Sequence, residues 1–564
     1  MISVRHWFAG GMLALPVAAL AAGHAGPRFR DVTDVVALRF THDSGAAGRF
    51  YLPEIMGAGA ALLDYDNDGD LDVLLVQGHS LLGREASAAG ATPRLFRNEL
   101  RETSRLRFTD VTAAAGFGVG DYGMGVAAGD YDGDGDVDVY LTNYGPNRLY
   151  RNDGRGRFVD VTRKSGGGLD DSRWSSSASF TDYDGDGDLD LFVANYVDFS
   201  IADNKVCSDP TGVRDYCGPR QFRAAPDRLF RNDRGIFTDV TETAGIVDAG
   251  GAGLGVVGAD LDGDGRQDFY VANDGGANHF WRNRGDGRFQ DAALLAGVAL
   301  NADGLPEGSM GIAAGDADND GDVDLFVTNI TGESHAFYES LGSGNFEDRR
   351  TVTGLGPLTH PYTGFGTAWL DADNDGLLDL FVANGAVTII EALRGARFPF
   401  RQKNRLLRNA GGRFADVSAS AGDVFGVPDV GRGTAVGDVD NDGDVDVLVT
   451  NNNGPARLVL NESPRAEAGL SVRLQGRADN THGLGARVGL MLPGAGVVWR
   501  RVHTDGSYLS SSDPRAHFVL PARAAAVTLI VDWPGGMRER WKDMRQNASR
   551  TITLRQGTGA SVPR

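Results

Sequence analysis

Apolar and polar positions alternate along this chain in short runs of the length that strands need, and the same order of runs keeps returning. Gly123-Met124-Gly125-Val126-Ala127-Ala128-Gly129 is small and apolar, while Val137-Asp138-Val139-Tyr140-Leu141-Thr142-Asn143 has the two-residue period of a half-buried strand. Between them lies an acidic turn, 130–138. Further on, a short strand ends in Arg-Asn, a turn follows, and Phe-x-Asp-Val-Thr closes the unit, most clearly over 147–162 and again over 227–241 and 404–418. One unit therefore predicts strand, acidic loop, strand, turn, strand, turn, strand. Four antiparallel strands repeated radially make a propeller blade.

The acidic turn, D-x-D-x-D-G-x-x-D, occurs seven times. The first copy carries Asp64, Asp66, Asp68, Asp70 and Asp72, and the second Asp130, Asp132, Asp134, Asp136 and Asp138. The third carries Asp182, Asp184, Asp186, Asp188 and Asp190, and the fourth Asp260, Asp262, Asp264, Arg266 and Asp268. Asp316, Asp318, Asp320, Asp322 and Asp324 form the fifth, and Asp371, Asp373, Asp375, Leu377 and Asp379 the sixth. Asp438, Asp440, Asp442, Asp444 and Asp446 complete the set. The seventh unit stops near Asn461 without its Phe-x-Asp-Val-Thr strand, and an orphan copy, Phe29-Arg30-Asp31-Val32-Thr33, stands near the start. The economical reading is that the first strand completes the seventh blade and leaves no open edge. An open solenoid or two separate sandwiches would leave the displaced strand unexplained. The expected fold is all-β: a seven-bladed β-propeller over 27–463.

Carboxylates at alternating positions of a tight turn repel one another unless a hard cation sits between them. Ca²⁺ takes six to eight oxygens in forgiving geometry, whereas Mg²⁺ demands a near-ideal octahedron. Positions one, three and five offer carboxylates, Gly at six allows the turn, seven offers its carbonyl, and Asp at nine closes the site, expected as a bidentate ligand. Because seven acts through its backbone, Arg266 and Leu377 are tolerated there. About seven structural calcium ions are expected, with dissociation constants on the order of 10⁻⁴–10⁻³ M. They would cancel about two thirds of the formal charge of −21. That negative balance also argues against nucleic acid as a partner.

Beyond the repeats, 466–557 predict about six short strands (470–474, 486–492, 497–503, 516–520, 526–533 and 551–554) and so a small β-sandwich, with 558–564 as a tail. Trp499, Trp533 and Trp541 offer aromatic faces to a sugar, but core packing is the expected use. Three segments exceed the repeat, 78–93, 198–226 and 386–403, and long loops on a rigid scaffold commonly carry binding. Cys207 and Cys217 lie in the second of these. They are expected as a loop-stapling disulfide; a redox or metal pair is the alternative, though the spacing is not C-x-x-C. At the start, Arg5, an apolar run over 8–20 and Ala19-Leu20-Ala21 read as a cleaved leader, 1–22, and so as a secreted or periplasmic protein. The run falls short of the roughly 20 residues a membrane span needs.

The loops together with the Arg-Asn and Phe-x-Asp-Val-Thr strands resemble FG-GAP (VCBS) repeats, the units of integrin α-subunit propellers. The opening stretch 29–72, with Gly57-Ala58-Gly59-Ala60 before the first loop, resembles the cartilage acidic protein family, as does Tyr216-Cys217-Gly218-Pro219. Asn480-Thr481-His482-Gly483-Leu484-Gly485, Gly506-Ser507-Tyr508-Leu509-Ser510 and Trp533-Pro534-Gly535-Gly536 resemble the ASPIC/UnbV domain that follows such propellers. The resemblance implies a secreted protein with calcium-dependent interactions and supplies no catalytic residues. The sequence contains no Gly-x-Ser-x-Gly elbow, no His-Glu-x-x-His and no Ser-x-Asp-x-Gly-x-Thr-Trp box. The expected function is calcium-dependent binding of an extracellular protein or glycan, not catalysis. A polysaccharide lyase or hydrolase is the alternative.

Overall fold

The computed structural model describes residues 26–563 other than 83–91, 119–120, 209–211, 248–249, 389–399, 465–467, 478–479, 493–495, 521–525 and 545–550. The expected leader, 1–22, lies outside the described residues.

Each repeat folds as a four-stranded antiparallel sheet, and seven such sheets follow one another between residues 29 and 461. Their innermost strands are Ala60–Leu63, Tyr122–Gly129, Ser175–Thr181, Gly253–Ala259, Ile312–Gly315, Gly364–Leu370 and Gly431–Gly437. Each of these strands contacts the next, and the last contacts the first, which closes a ring around a central channel. Small residues are needed where inner strands approach. A Cβ on Gly311 would lie 2.0 Å from the carbonyl oxygen of Phe365 in the next sheet. In the seventh sheet the outermost strand is Phe29–Asp31, which pairs with Arg457–Asn461 so that Phe29 faces Asn461 and Asp31 faces Val459. Arg457 binds Asp31 Oδ2 at 2.7 Å across the same joint.

The Phe-x-Asp-Val-Thr signature has a structural cause. Asp160 Oδ1 accepts the N–H of Thr162 at 3.0 Å and its hydroxyl at 2.6 Å, and Thr162 Oγ1 accepts the N–H of Leu149 at 2.9 Å. This bracket ends the outer strand and ties it to the start of its neighbour. It recurs at Asp31 and Thr33, at Asp239 and Thr241, and at Asp416 and Ser418. The phenylalanine that opens each signature, such as Phe158, is buried between sheets.

The C-terminal domain packs a three-stranded sheet (Ala516–Leu520, Ala468–Gln475, Thr551–Arg555) against a five-stranded one (Gly496–Arg501, Arg487–Leu492, Val527–Asp532, Arg538–Met544, Ala560–Ser561). Leu470, Val472, Val488, Leu490, Leu529, Val531 and Trp533 fill the space between them. Two strands differ from the sequence expectation. Arg538–Met544 is too charged to show alternation, yet it pairs with Val527–Asp532. Ala560–Ser561, in the expected tail, pairs with Glu539 and Arg540, so the domain runs past 557. The expected strand 497–503 stops at Arg501, because the chain leaves the sheet there and enters the channel. Trp533 is buried in the domain core, and Trp499 stacks under the Arg487 guanidinium at 4.5 Å. Among the described residues no helix is long and apolar enough to cross a membrane.

Candidate metal loops and the docked C-terminal domain

Each acidic loop wraps its backbone around its own carboxylates. In the second loop, Asp130 at position one accepts the N–H groups of Gly133 and Gly135, both at 2.9 Å, and Asp134 at position five accepts that of Asp136 at 3.0 Å. Six loops share the bond from the Gly at position six to the Asp at position one. That glycine has φ between 89° and 103° in all seven loops, a left-handed conformation that a side chain would strain. Position four is also left-handed, with φ between 55° and 78°, in Asn67, Gly133, Gly185, Gly263, Asn319, Asn374 and Asn441. Only Asn or Gly stands there, a regularity visible in the sequence that the acidic pattern alone passes over.

Position nine does more than close the turn. Asp138 Oδ2 accepts the N–H of Tyr131 at 3.2 Å, and Oδ1 accepts the N–H of Asn152, on the neighbouring strand, at 2.8 Å. Asp72, Asp190, Asp268, Asp324, Asp379 and Asp446 do the same in their sheets. Both oxygens thus accept main-chain N–H groups, and each keeps a further lone pair that faces the loop's other carboxylates.

The carboxylates of positions one, three and nine converge, and in the first loop Asp68 and Asp70 also meet Glu102. One oxygen from each of Asp64, Asp66 and Asp72 lies within 4.8 Å of the others, and the same holds for Asp130, Asp132 and Asp138, for Asp182, Asp184 and Asp190, and for Asp260, Asp262 and Asp268. Position five is turned toward its own loop, where Asp68, Asp186, Asp264, Asp320, Asp375 and Asp442 bind the N–H of position seven. Position-seven side chains reach neighbours. Asp70 accepts Asn441 Nδ2, Asp136 accepts Asn67 Nδ2, and Asp188 accepts the N–H of Arg234.

Burial, followed by the charge of neighbouring aspartates or set against backbone donors, raises these acids. Asp66 is pushed up to about 6, Asp182, Asp316, Asp371 and Asp440 to about 7, and Asp324 to about 8. At position one, Asp64 Oδ1, Asp260 Oδ1 and Asp316 Oδ1 are buried without a hydrogen-bond donor. A buried acceptor left unpaired is costly, and an all-oxygen donor set of this kind fits a hard cation.

The Arg-Asn strand end proves to be a clasp between sheets. Asn152 Nδ2 donates to Tyr65 O at position two of the preceding loop at 2.7 Å. Asn98, Asn232, Asn283, Asn409 and Asn461 make the equivalent bond to Val439, Tyr131, Tyr183, Ala317 and Ala372. Ser340 stands at this place in the fifth sheet and is too short to reach. The preceding arginine turns to the loop, as Arg408 does to Asp373 at 2.5 Å and to Asp375 at 3.1 Å.

The C-terminal domain sits on the loop face and sends the segment 502–515 up the channel. That segment hydrogen-bonds to the inner strand of every sheet. Ser511 N donates to Ala60 O at 2.9 Å, Val126 N to Leu509 O at 3.0 Å, and Asp513 N to Val436 O at 3.0 Å. Leu509 N donates to Ser177 Oγ at 3.0 Å, Gly258 N to Asp505 Oδ2 at 2.6 Å, and Thr367 N to Ser507 Oγ at 3.2 Å. Ile312 N donates to Ser507 O at 2.9 Å. At the far end Tyr508 Oη donates to Met56 O at 3.2 Å, and its ring meets Phe365 at 4.8 Å. Arg432, fully buried, stacks on Phe365 at 3.9 Å and spends its guanidinium on the carbonyls of Ile55, Gly385, Ala386 and Gly431. Its pKa is lowered to about 9 by burial.

The opposite mouth of the channel carries the described parts of the long insertions. Cys207 and Cys217 form a disulfide. The lobe they staple crosses to the segment ahead of the first sheet, where Tyr216 Oη donates to the buried Glu54 Oε2 at 2.9 Å and Arg214 donates to Arg49 O at 2.9 Å. Beside this bridge, Glu54, Tyr216, Arg401, Asp429 and Asn452 line a pocket of about 420 Å³.

Comparison with known proteins agrees with this architecture. Residues 64–141, 130–193, 260–327 and 316–382 match the FG-GAP-like repeat, and residues 476–561 match ASPIC and UnbV. The chain carries FG-GAP repeats and an ASPIC/UnbV domain. The FG-GAP matches cover acidic loops with their flanking strands, and the ASPIC/UnbV match contains the whole channel segment. The chain is similar to human cartilage acidic protein 1, 28% identical over 334 residues, which is 55% of this chain and 46% of the human protein. It is also similar to the Xenopus tropicalis protein of that name, 28% identical over 285 residues, or 48% of this chain and 40% of that one. The matched region thus spans less than half the length of these relatives. Among solved structures, the BP39L lectin from Burkholderia pseudomallei aligns over 73% of this chain and 98% of its own at 12% identity, with a TM-score of 0.41. The Bacillus licheniformis rhamnogalacturonan lyase aligns over 76% and 75% at 12% identity, with a TM-score of 0.36.

Proposed function

We propose that this protein is a calcium-loaded binding propeller that works outside the cytoplasm and takes a protein or glycan partner at the channel mouth away from its C-terminal domain. The observation that carries the reading is the repeated convergence of three carboxylates within 4.8 Å, with the position-one oxygens of Asp64, Asp260 and Asp316 buried without donors. Aspartates at positions one, three, five and nine and the carbonyl at seven would hold each ion, which supplies positive charge where the loop gathers acids. The disulfide in the insertion suits an oxidising compartment.

Geometry favours a binding protein over a lyase or hydrolase. Segment 502–515 fills the channel, and the C-terminal domain covers much of the loop face, so the mouth with Glu54, Tyr216 and Arg401 is the open end of the ring. Metal analysis of the pure protein tests the first half of the proposal, with about seven calcium ions per chain expected. A binding screen of surface proteins and glycans at millimolar calcium tests the second. Saturable binding without product release is expected, whereas turnover of a polysaccharide would replace the binding role with a catalytic one.

A further inference from the structure

We propose that the face carrying the acidic loops is a cation-dependent docking surface whose partner is the chain's own C-terminal domain, so that ion binding in the loops and seating of segment 502–515 strengthen each other; this rests on the calcium reading above.

The domain grips the parts of the loops whose positions an ion would fix. Arg473 donates to Asp64 Oδ2, at position one of the first loop, at 3.2 Å, and the Thr481 hydroxyl binds Asp130 Oδ2, at position one of the second. Arg487 donates to the carbonyl of Gly321 at 3.0 Å, and Arg500 to that of Gly376 at 3.3 Å, both at position six. Arg500 also reaches Asn319 Oδ1 at 3.1 Å, so one side chain spans the fifth and sixth loops. Arg515 donates to Asp438 O at 3.0 Å in the seventh. These acceptors are in place only while clustered carboxylates are held in a tight turn, and their mutual repulsion opposes that conformation when no cation is present.

Ion and arginine do not compete. The first and fifth loops each carry five aspartates and the sixth carries four, so one divalent ion leaves each loop negative and still attractive to a guanidinium. At Asp64 the two roles fall on different oxygens. Oδ2 holds Arg473 and the N–H of Gly69, while Oδ1 is buried without a donor. Since the same domain supplies the channel segment, a loop that loses its shape weakens the grip that seats Asp505 to Asp513 against all seven sheets. Coupling of this kind is reciprocal: whatever the ion adds to docking, docking adds to ion affinity.

The test uses the full chain and two readouts. Hydrogen–deuterium exchange is followed at the amides of Ser507, Leu509, Ser511 and Asp513 in millimolar calcium and after chelation, with the outer strands of the sheets as reference. Chelation is expected to speed exchange in the channel segment about tenfold or more while the outer strands stay protected. Calorimetric calcium titration of Arg473→Gln and Arg500→Gln is expected to show affinity about fivefold weaker or more at the affected loops. Thr481→Ala, a smaller change, carries the same expectation if circular dichroism shows that an arginine variant has not folded. Calcium binding with unchanged exchange and unchanged variant affinity overturns the coupling and leaves the calcium reading standing. Exchange that rises equally in every strand also overturns it, because the ions would then hold the whole fold and not the docked domain. No bound calcium at all removes the reading and this inference together.

Discussion

Asn152 Nδ2 in the second sheet donates to the carbonyl oxygen of Tyr65 in the acidic loop of the first at 2.7 Å, and this bond joins two sheets whose backbones are otherwise separate there. Asn152 is itself held from below, since its backbone N–H reaches Asp138 Oδ1. The acidic loop and the clasp are therefore one device. Asn152→Ala leaves a buried carbonyl and a carboxylate oxygen's neighbour less constrained, and is expected to cost about 1–3 kcal/mol in denaturant unfolding. The fifth sheet offers the converse. Ser340→Asn supplies the missing donor opposite Leu261 and is expected to stabilise by about 0.5–1.5 kcal/mol.

Gly59 bears directly on the channel segment. A Cβ there would lie 1.7 Å from the Leu509 carbonyl oxygen, a backbone atom that cannot step aside. Gly59→Ala is expected to destabilise by about 3 kcal/mol or more, as overpacking against fixed backbone does. Gly118→Ala, where nothing lies within 4 Å, is expected to change stability by less than about 0.5 kcal/mol and serves as control in thermal melts.

The pH dependence of stability is expected to reverse on chelation. Asp182, Asp316, Asp371 and Asp440 have folded values of about 7 and Asp324 of about 8, all raised above the ordinary 3.8 mainly by burial. Between about 4 and 8 the ion-free folded protein binds more protons than the unfolded chain, so its stability falls as pH rises, by up to about 1.4 kcal/mol per unit for each group. His42 and His335, lowered by burial to about 4 and about 3, act with the opposite sign below 6.5 but are outnumbered. With calcium bound, protons compete with the ion and stability rises with pH instead. Chemical unfolding at pH 5.5 and 7.5, with calcium and with chelator, gives the two slopes.

Cys207→Ser is expected to leave the unfolding midpoint of the sheets unchanged, because the disulfide lies in an insertion outside them. Loop-closure arithmetic gives the lobe itself about 3 kcal/mol at most. Limited proteolysis is the sensitive measurement, with faster cleavage expected within 198–226 and an intact remainder.

The all-β propeller with a small β domain was legible from strand-length apolar runs, because sheets and turns leave local traces. So was the place of the acidic turns, each joining the innermost strand of a sheet to the next. The roles of single residues were less legible. Asn152 and Tyr65 meet across 87 positions, and the asparagine reads locally as no more than a strand end. The channel segment was harder still. Gly506-Ser507-Tyr508-Leu509-Ser510 has neither helical nor strand periodicity, and its partners are backbone atoms spread over more than 370 residues of sequence, from Ala60 to Val436. Strand Arg538–Met544 escaped because charged side chains hide alternation when a sheet face is open to water.

The joint between Phe29–Asp31 and Arg457–Asn461 has a bearing on biogenesis. Strand Phe29–Asp31 pairs with one that lies more than 400 residues further on, so during synthesis it must wait, unzipped, until that strand has appeared. Throughout that interval the nascent chain is an arc with two sticky ends, exposed to neighbours that could pair with either. Only when the arc has closed is there a bore for segment 502–515 to thread, so the seating of the ASPIC/UnbV domain reports a closed ring.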